Sequence, residues 1–444
     1  MSTVRSIKAS PVAPALMREI GRWSLAALAV NSVIGSGVFG LPGIVAGLLG
    51  RYSTVAVLVA AVAIGIIMAC FAEVSSQFCE PGGPYLYARV GFGRLMGILV
   101  AWLFYLALSA APAANVNLFL IYLAEFWSPV KEPWPRFLII TMLIGLLTLI
   151  NVLGVRQGTT TNNVFTIAKV LSLLIVILAG VAMILLRPAA PQVAPVHIVG
   201  SSWLKGTVLL AFLFGGFESA LTPMSEAKNP RRDAAFALFA TLIWCAAIYA
   251  LIQWVVVGVL GFHVTTERPL AEVARLTIGD HGAALVAVGA MLSVYGYLGA
   301  KLLSMPRVTF ALAEKHDLPR IFCAVNQRFR TPWFSIVLYA VVIWTLAIYG
   351  SFEWNVTLSV IARLFYYGVV CTAVIALRNS QPDAVTFRLP GGALLPMLGI
   401  GVCIVLATQV DFSQSRIVVA TVVAAILHWA WMTQLPLSRE QLQK

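Results

Sequence analysis

The sequence predicts an all-α membrane protein of twelve transmembrane helices, built as two inverted five-helix repeats plus two extra helices. Three observations predict it. First, 60% of the 444 residues are hydrophobic and only 11% are charged, and the mean hydropathy is +0.92, a balance that excludes a water-soluble globular protein. Second, apolar runs of roughly 18 to 28 residues recur along nearly the whole chain, the length a helix needs to cross a bilayer, whereas the roughly ten-residue alternating segments of a membrane β-barrel are absent. Third, glycine-rich interruptions fall in the first and the sixth runs. Transporters built from repeats carry discontinuous helices at corresponding positions of each half, and an odd number of spans per repeat inverts the second copy.

The runs lie at 22–49, 54–77, 88–123, 136–153, 162–187, 202–226, 232–260, 282–312, 332–350, 355–377, 394–412 and 414–433. They divide the chain into a tail at 1–21, a first repeat at 22–187, an inverted second repeat at 202–377, two appended helices at 394–433 and a tail at 434–444. No linker is long enough to separate soluble domains. The polar leader passes into the first run with no small-residue cleavage site, so it is not read as a removable signal peptide.

The net charge of +13 does not point to nucleic acid, because no soluble basic domain carries it. With an inner amino terminus and alternating spans, more than twice as many Lys and Arg fall in inner loops and tails as in outer loops. Arg5, Lys8, Arg18, Arg22, Lys228, Arg231, Arg232, Lys315, Arg320, Arg328 and Arg330 are among the inner ones. The positive-inside rule then predicts a multi-pass protein of the inner, or plasma, membrane with both termini cytoplasmic. Its surroundings are the lipid bilayer, and the chain is expected as a monomer or homodimer.

Catalytic and metal chemistry find little support. The six cysteines (Cys70, Cys79, Cys245, Cys323, Cys371 and Cys403) contain no CxxC pair, and the five histidines (His197, His263, His281, His316 and His428) lack ligand spacing. This suggests neither a zinc site nor a disulfide frame. HExxH, GxSxG and Walker A patterns are missing, so neither an enzyme nor a cofactor is expected. A channel would be expected to show rings of like charge or a filter repeat, and neither is visible.

The interruptions themselves carry chemistry. "NSVIGSGVFG" at 31–40 places Gly35, Gly37 and Gly40 inside span one, and "FLFGGFESA" at 212–220 places Gly215 and Gly216 inside span six. Glycine weakens a helix interior by about 1 kcal/mol, and an unpaired backbone group in lipid costs several more. Unwinding near the midplane exposes N–H groups at one half-helix end and C=O groups at the other, with helix dipoles of matching sense. A carboxylate suits the first and an ammonium the second, so two crossing breaks suit the head of an amino acid. The other reading of the glycines is close helix packing.

Four motifs, Gly35-Ser36-Gly37-Val38-Phe39, "PGGPYLYAR" at 81–89, "FGGFESA" and "SEAKNPRRD" at 225–233, resemble the amino acid–polyamine–organocation family of permeases over roughly residues 20 to 435. The resemblance implies a LeuT-like fold of ten core helices in two inverted repeats. It also implies amino acids or related amines as substrates, moved by alternating access. It places the substrate carboxylate against backbone amides at Ser36 and Gly37, and the amino group against carbonyls near Val33, Ile34, Phe212 and Gly215, with Gly35 and Gly216 completing the breaks. Phe212 stands where relatives often carry an aromatic lid; a lipid-facing or packing phenylalanine is its other reading.

Four charged residues inside or beside spans need a reason, since buried charge in a membrane usually marks a substrate or ion pathway. Lys169 matches a lysine that many sodium-independent relatives carry beside the span-one break, where sodium-coupled relatives bind a cation. It is read either as a proton relay or as a permanent cation bonded to span-one carbonyls. Glu218, just after the span-six break, is a proton-sensing or gating carboxylate, or a cap for backbone donors that pairs with a nearby cation. Lys301, in "SVYGYLGAKLLSMPR", either faces the substrate side chain and disfavours cationic substrates, or snorkels or pairs with Glu218 or another buried group. Arg363, in "VIARLFYYG" beside Tyr366 and Tyr367, belongs to an outer gate with an acidic partner or lies at the interface against headgroups. The expected activity is sodium-independent transport of neutral or acidic amino acids in preference to cationic ones, by proton-coupled symport, with an exchanger or exporter as the alternative and a channel as the different class.

Overall fold

The computed structural model describes residues 21–35, 37–78, 83–154, 159–186, 200–218, 230–261, 266–314, 317–326, 328–380, 387–409 and 411–434. Among them fifteen α-helices occur and no strand. Span one is two helices, α1 (Arg22–Val33) and α2 (Gly37–Leu49), and a 3₁₀ turn at Gly50–Tyr52 leads into α3 (Ser53–Ser75). Next come α4 (Gly83–Phe92), α5 (Arg94–Leu123), α6 (Pro133–Val152) and α7 (Thr159–Leu186). The second half holds α8 (Gly200–Phe214), α9 (Pro230–Leu260), α10 (Pro269–Ile278), α11 (Asp280–Glu314), α12 (Trp333–Tyr349) and α13 (Phe352–Ser380), followed by α14 (Leu394–Ala407) and α15 (Phe412–Gln434).

Two expectations change. The third run, expected from residue 88, is divided at Gly93, whose φ of 86° is costly for any residue with a Cβ, so α4 stands apart from α5. Between the runs expected at 232–260 and 282–312 the chain forms a helix of its own, α10, closed in the same way by Gly279 at φ 93°. By length and composition, eight helical stretches among the described residues are long and apolar enough to cross a membrane, with α2 and α3 counted as one continuous stretch. The apolar helices α8, α12 and α14 are shorter, and α8 is short because it ends at the span-six break.

The helices sort by what surrounds them. Helices α5 and α13 lie at the centre against each other, whereas α6, α7 and α15 expose leucine, isoleucine and valine along their outer faces, including Leu138, Leu178 and Leu427. Such a belt on a multi-helix bundle is a lipid-facing surface, and the protein is a multi-pass membrane protein. Small residues let the central pair approach: Ala107, Ala110, Ala111 and Ala114 of α5 are buried. Pro112 has no N–H to give to the Leu108 carbonyl one turn back, and the Tyr339 hydroxyl of α12 bonds that carbonyl instead. Ser359 of α13 donates to Ala107 O at 2.9 Å. At one end of α13, Arg378 grips the fully buried Glu73 of α3 through Nε at 2.5 Å and Nη2 at 2.6 Å, a bidentate pair that ties α3 to α13.

The pairings come in matched sets. Helix α1 packs on α9 and α8 on α3; α5 packs on α13 and α11 on α7; α4 lies on α5 and α13, and α10 on α11 and α7. The ion pairs match too. Arg89 in the last turn of α4 and Arg94 at the start of α5 hold Asp317, just beyond α11, at 2.6 and 3.1 Å. Arg275 in the last turn of α10 holds Glu125, just beyond α5, and Arg268 holds it at 2.6 Å. Since α5 has 30 residues, and a helix rises about 1.5 Å per residue, the two clusters are about 45 Å apart at opposite ends of the bundle. Burial, with the Asp317 carboxylate beside it, pushes the Tyr85 phenol up to about 12, so it stays protonated and donates to Asp317.

Candidate substrate site

The break in span one is a single tight turn. Ile34, at φ −69° and ψ 78°, is the central residue of an inverse γ-turn in which Gly35 N donates to Val33 O at 2.6 Å. Helix α1 therefore stops with its carbonyl end at mid-bundle, and α2 restarts at Gly37 with its amide end there. Helix α8 also ends with carbonyls, in a turn where Gly215 N donates to Phe212 O at 3.1 Å. Gly216 follows at φ 103°, so close to α1 that a Cβ would stand 2.9 Å from Ser32 O. The glycines serve both readings made from sequence: they break the helices and bring them together.

Between these ends lies a small cavity of about 20 Å³. Ser32, Gly37, Asn115, Phe212, Lys301 and Arg363 are among its walls. Val33, Gly35, Gly215 and Gly216 line it too, whereas Ile34 does not; Ser36 lies outside the described residues. Phe212 packs over Gly37, where a Cβ would meet the ring at 3.0 Å, so it is a wall of the cavity and not a lipid-facing residue.

The Lys169 ammonium reaches the end of α1, bonding Asn31 Oδ1 at 2.7 Å, Ile34 O at 2.7 Å and Asn31 O at 3.2 Å. Three oxygens at a helix carbonyl end satisfy a cation by both bonding and dipole. Tyr249 of α9 completes the junction, its hydroxyl lying 3.0 Å from Val33 O and 3.1 Å from Leu213 O, one carbonyl from each broken helix. The Val33 and Ile34 carbonyls that sequence reasoning assigned to the substrate amino group are thus engaged by the protein's own donors, Val33 O by both Gly35 N and Tyr249.

Glu218 is buried and held from three sides. Its Oε2 accepts Gly216 N at 3.0 Å and the Tyr367 hydroxyl at 3.3 Å, and its Oε1 accepts the Tyr366 hydroxyl at 3.0 Å. Arg363 Nη1 lies 3.2 Å from Oε1. Of the two placements left open for Arg363, the headgroup interface is excluded: the side chain is buried at the cavity wall with an acidic partner. Lys301 lines the same cavity, with Nζ 5.5 Å from the centre of the Tyr297 ring. Sequence reasoning missed Asn31, Asn115, Tyr249 and Tyr297. Asn31 carried a signal, a polar side chain one turn before a glycine break; the other three look like ordinary members of apolar helices.

A small cavity between interrupted helices, inside a lipid-facing bundle, fits a membrane transporter, and its relatives agree. The amino acid permease family model matches residues 20–432, and the chain belongs to that family. It is 26% identical to the methylthioribose transporter of Bacillus subtilis over 418 residues, 90% of each chain. It is also 26% identical to the branched-chain amino acid permease BcaP of Bacillus subtilis over 88% of each chain. With cationic amino acid transporter 4 of Mus musculus the identity is 26%, over 88% of this chain and 65% of that one. The solved structure of Mhp1, a nucleobase-cation-symport-1 family transporter in a closed conformation with bromovinylhydantoin bound, matches 93% of this chain and 96% of its own at a TM-score of 0.56. At 15% identity that likeness shows the fold alone. These family and structural neighbours are transporters, not enzymes.

Proposed function

We propose that the protein is a sodium-independent transporter of neutral or acidic amino acids, working by alternating access and coupled to proton entry. The observation that carries this reading is the Lys169 ammonium bonded to three oxygens at the carbonyl end of α1. It supplies the positive charge that the end of α1 attracts, so no metal cation is needed there. The amino acid head docks between the amide end of α2 at Gly37 and the carbonyl end of α8. Lys301 and Arg363 give the cavity wall positive charge, which disfavours cationic side chains, although some relatives are named cationic amino acid transporters.

Twelve crossings follow in this reading if α1 with α2, and α8 with the residues after it, each count as one and α12 and α14 also cross. The matched helix pairings and the two Arg–carboxylate clusters support inverted repeats at 22–187 and 202–377. The charge distribution supports both termini in the cytoplasm and an inner-membrane location. In the transport cycle the breaks pivot, closing one face while opening the other, and Lys169 times the step by exchanging its bonds to α1.

Purified protein in proteoliposomes tests this with a radiolabelled amino acid panel in sodium-free buffer. Saturable uptake of a neutral or acidic amino acid, raised by an inward proton gradient, is the expected result. Uptake that needs amino acid inside the vesicle makes the protein an exchanger. Strict dependence on sodium, or preference for arginine, overturns the reading.

A further inference from the structure

The Glu218–Arg363 pair is asymmetric in a way the transport cycle does not use. Every contact of Glu218 is on the protein side: a backbone amide, two tyrosine hydroxyls and the guanidinium surround both carboxylate oxygens. It sits behind Arg363 and not at the cavity wall. Arg363, in contrast, lines the cavity and has bonding capacity unused. Its Nη1 lies 3.2 Å from Glu218 Oε1 as an ion pair, and Nε and Nη1 are both buried without a hydrogen-bond acceptor. Gly215 makes the room that the guanidinium itself fills, since a Cβ there would overlap it.

Buried guanidinium donors without acceptors are costly and uncommon. Removing Glu218 from the wall leaves that wall with Arg363 and Lys301 as its charges, both positive. A ligand group that resolves this is planar, anionic and rich in acceptor oxygens, which describes a carboxylate.

We propose that Arg363 is the specificity-determining residue of the site and takes the side-chain carboxylate of an acidic amino acid, with Glu218, Tyr366 and Tyr367 holding its guanidinium in place. The proposal rests on the amino acid transport reading and narrows its substrate class. Lys301 adds charge from a second helix without the fork geometry. A hydrocarbon side chain of the same length leaves the guanidinium unpaired and is rejected for that reason.

Competition binding to the purified full-length protein with glutamate, glutamine and norvaline tests this, since the three share a backbone and chain length. Glutamate is expected to bind about ten- to a hundredfold more tightly than norvaline, the usual worth of a charged hydrogen bond, with glutamine between. Arg363→Lys keeps the charge beside Glu218 but loses the fork, and is expected to reduce that preference. Because Arg363→Gln alone strands a buried carboxylate, the second variant is Glu218→Gln with Arg363→Gln, which removes both charges and is expected to bring glutamate and norvaline to equal affinity. Norvaline binding as tightly as glutamate in the wild type, or an unchanged preference in the folded double variant, overturns the proposal while leaving amino acid transport intact. Binding of no amino acid at all removes the transport reading, and this proposal with it.

Discussion

Lys169→Ala is expected to abolish uptake, lowering its rate about a hundredfold or more, while leaving the protein in the membrane. The ammonium makes three bonds to α1, two of them at 2.7 Å, and each charge-assisted bond contributes about 1.5–3 kcal/mol. Alanine leaves Asn31 Oδ1 and Ile34 O without the Lys169 donor, at the end of a helix whose dipole already places negative charge there. The span-one break then loses its fixed geometry and the substrate its docking surface. Initial rates in proteoliposomes, with detergent unfolding curves as a check on folding, measure this. Unchanged uptake with unchanged pH dependence in Lys169→Ala removes Lys169 from the mechanism.

Gly216→Ala is expected to be the most damaging single methyl in the site. The residue stands at φ 103°, which costs an L side chain roughly 1–3 kcal/mol. The added carbon would also stand 2.9 Å from the backbone oxygen of Ser32, an atom that cannot move without moving α1. Relief requires α1 and α8 to separate, which disturbs the Gly216 N to Glu218 bond at the same time. Lower thermal stability in detergent and loss of substrate binding are expected together. Gly47→Ala, at an exposed position nearly three turns into α2, serves as the control for helix propensity. A Gly216→Ala protein as stable and active as that control contradicts the close-approach account.

Much of this was legible in the chain because apolar length and glycine interruption are local properties. The twelve apolar runs cover the long helices found, and the two breaks lie where "VIGSGVFG" and "FGGFESA" put them. Helix α10 was hidden because ten residues with charges at Glu272 and Arg275 look like a loop between long apolar runs. Its likeness to α4 is written in the sequence, with Ala88-Arg89 ahead of Gly93 at the same spacing as Ala274-Arg275 ahead of Gly279, but so few positions are a weak signal without the matched ion pairs.

The site divided along the same line. Lys169, Glu218, Lys301 and Arg363 stood out because charge in an apolar run is costly wherever it sits. Which charge meets which is a tertiary property. Glu218 lies against Arg363 across two helices because the α8 turn and α13 meet at the cavity wall. Tyr249 bridging both broken helices has no sequence signature, since its hydroxyl gains meaning only from the two carbonyls it joins.

The central claim is that the amino acid head lies between the end of α1 with the start of α2 and the end of α8. A structure determined with a transported amino acid bound tests it most directly. The account predicts the substrate carboxylate within hydrogen-bond distance of Gly37 N, with Lys169 still bonded to Ile34 O and Phe212 packed over the ligand. An amino acid bound elsewhere in the bundle, with the cavity between the breaks empty, would contradict it.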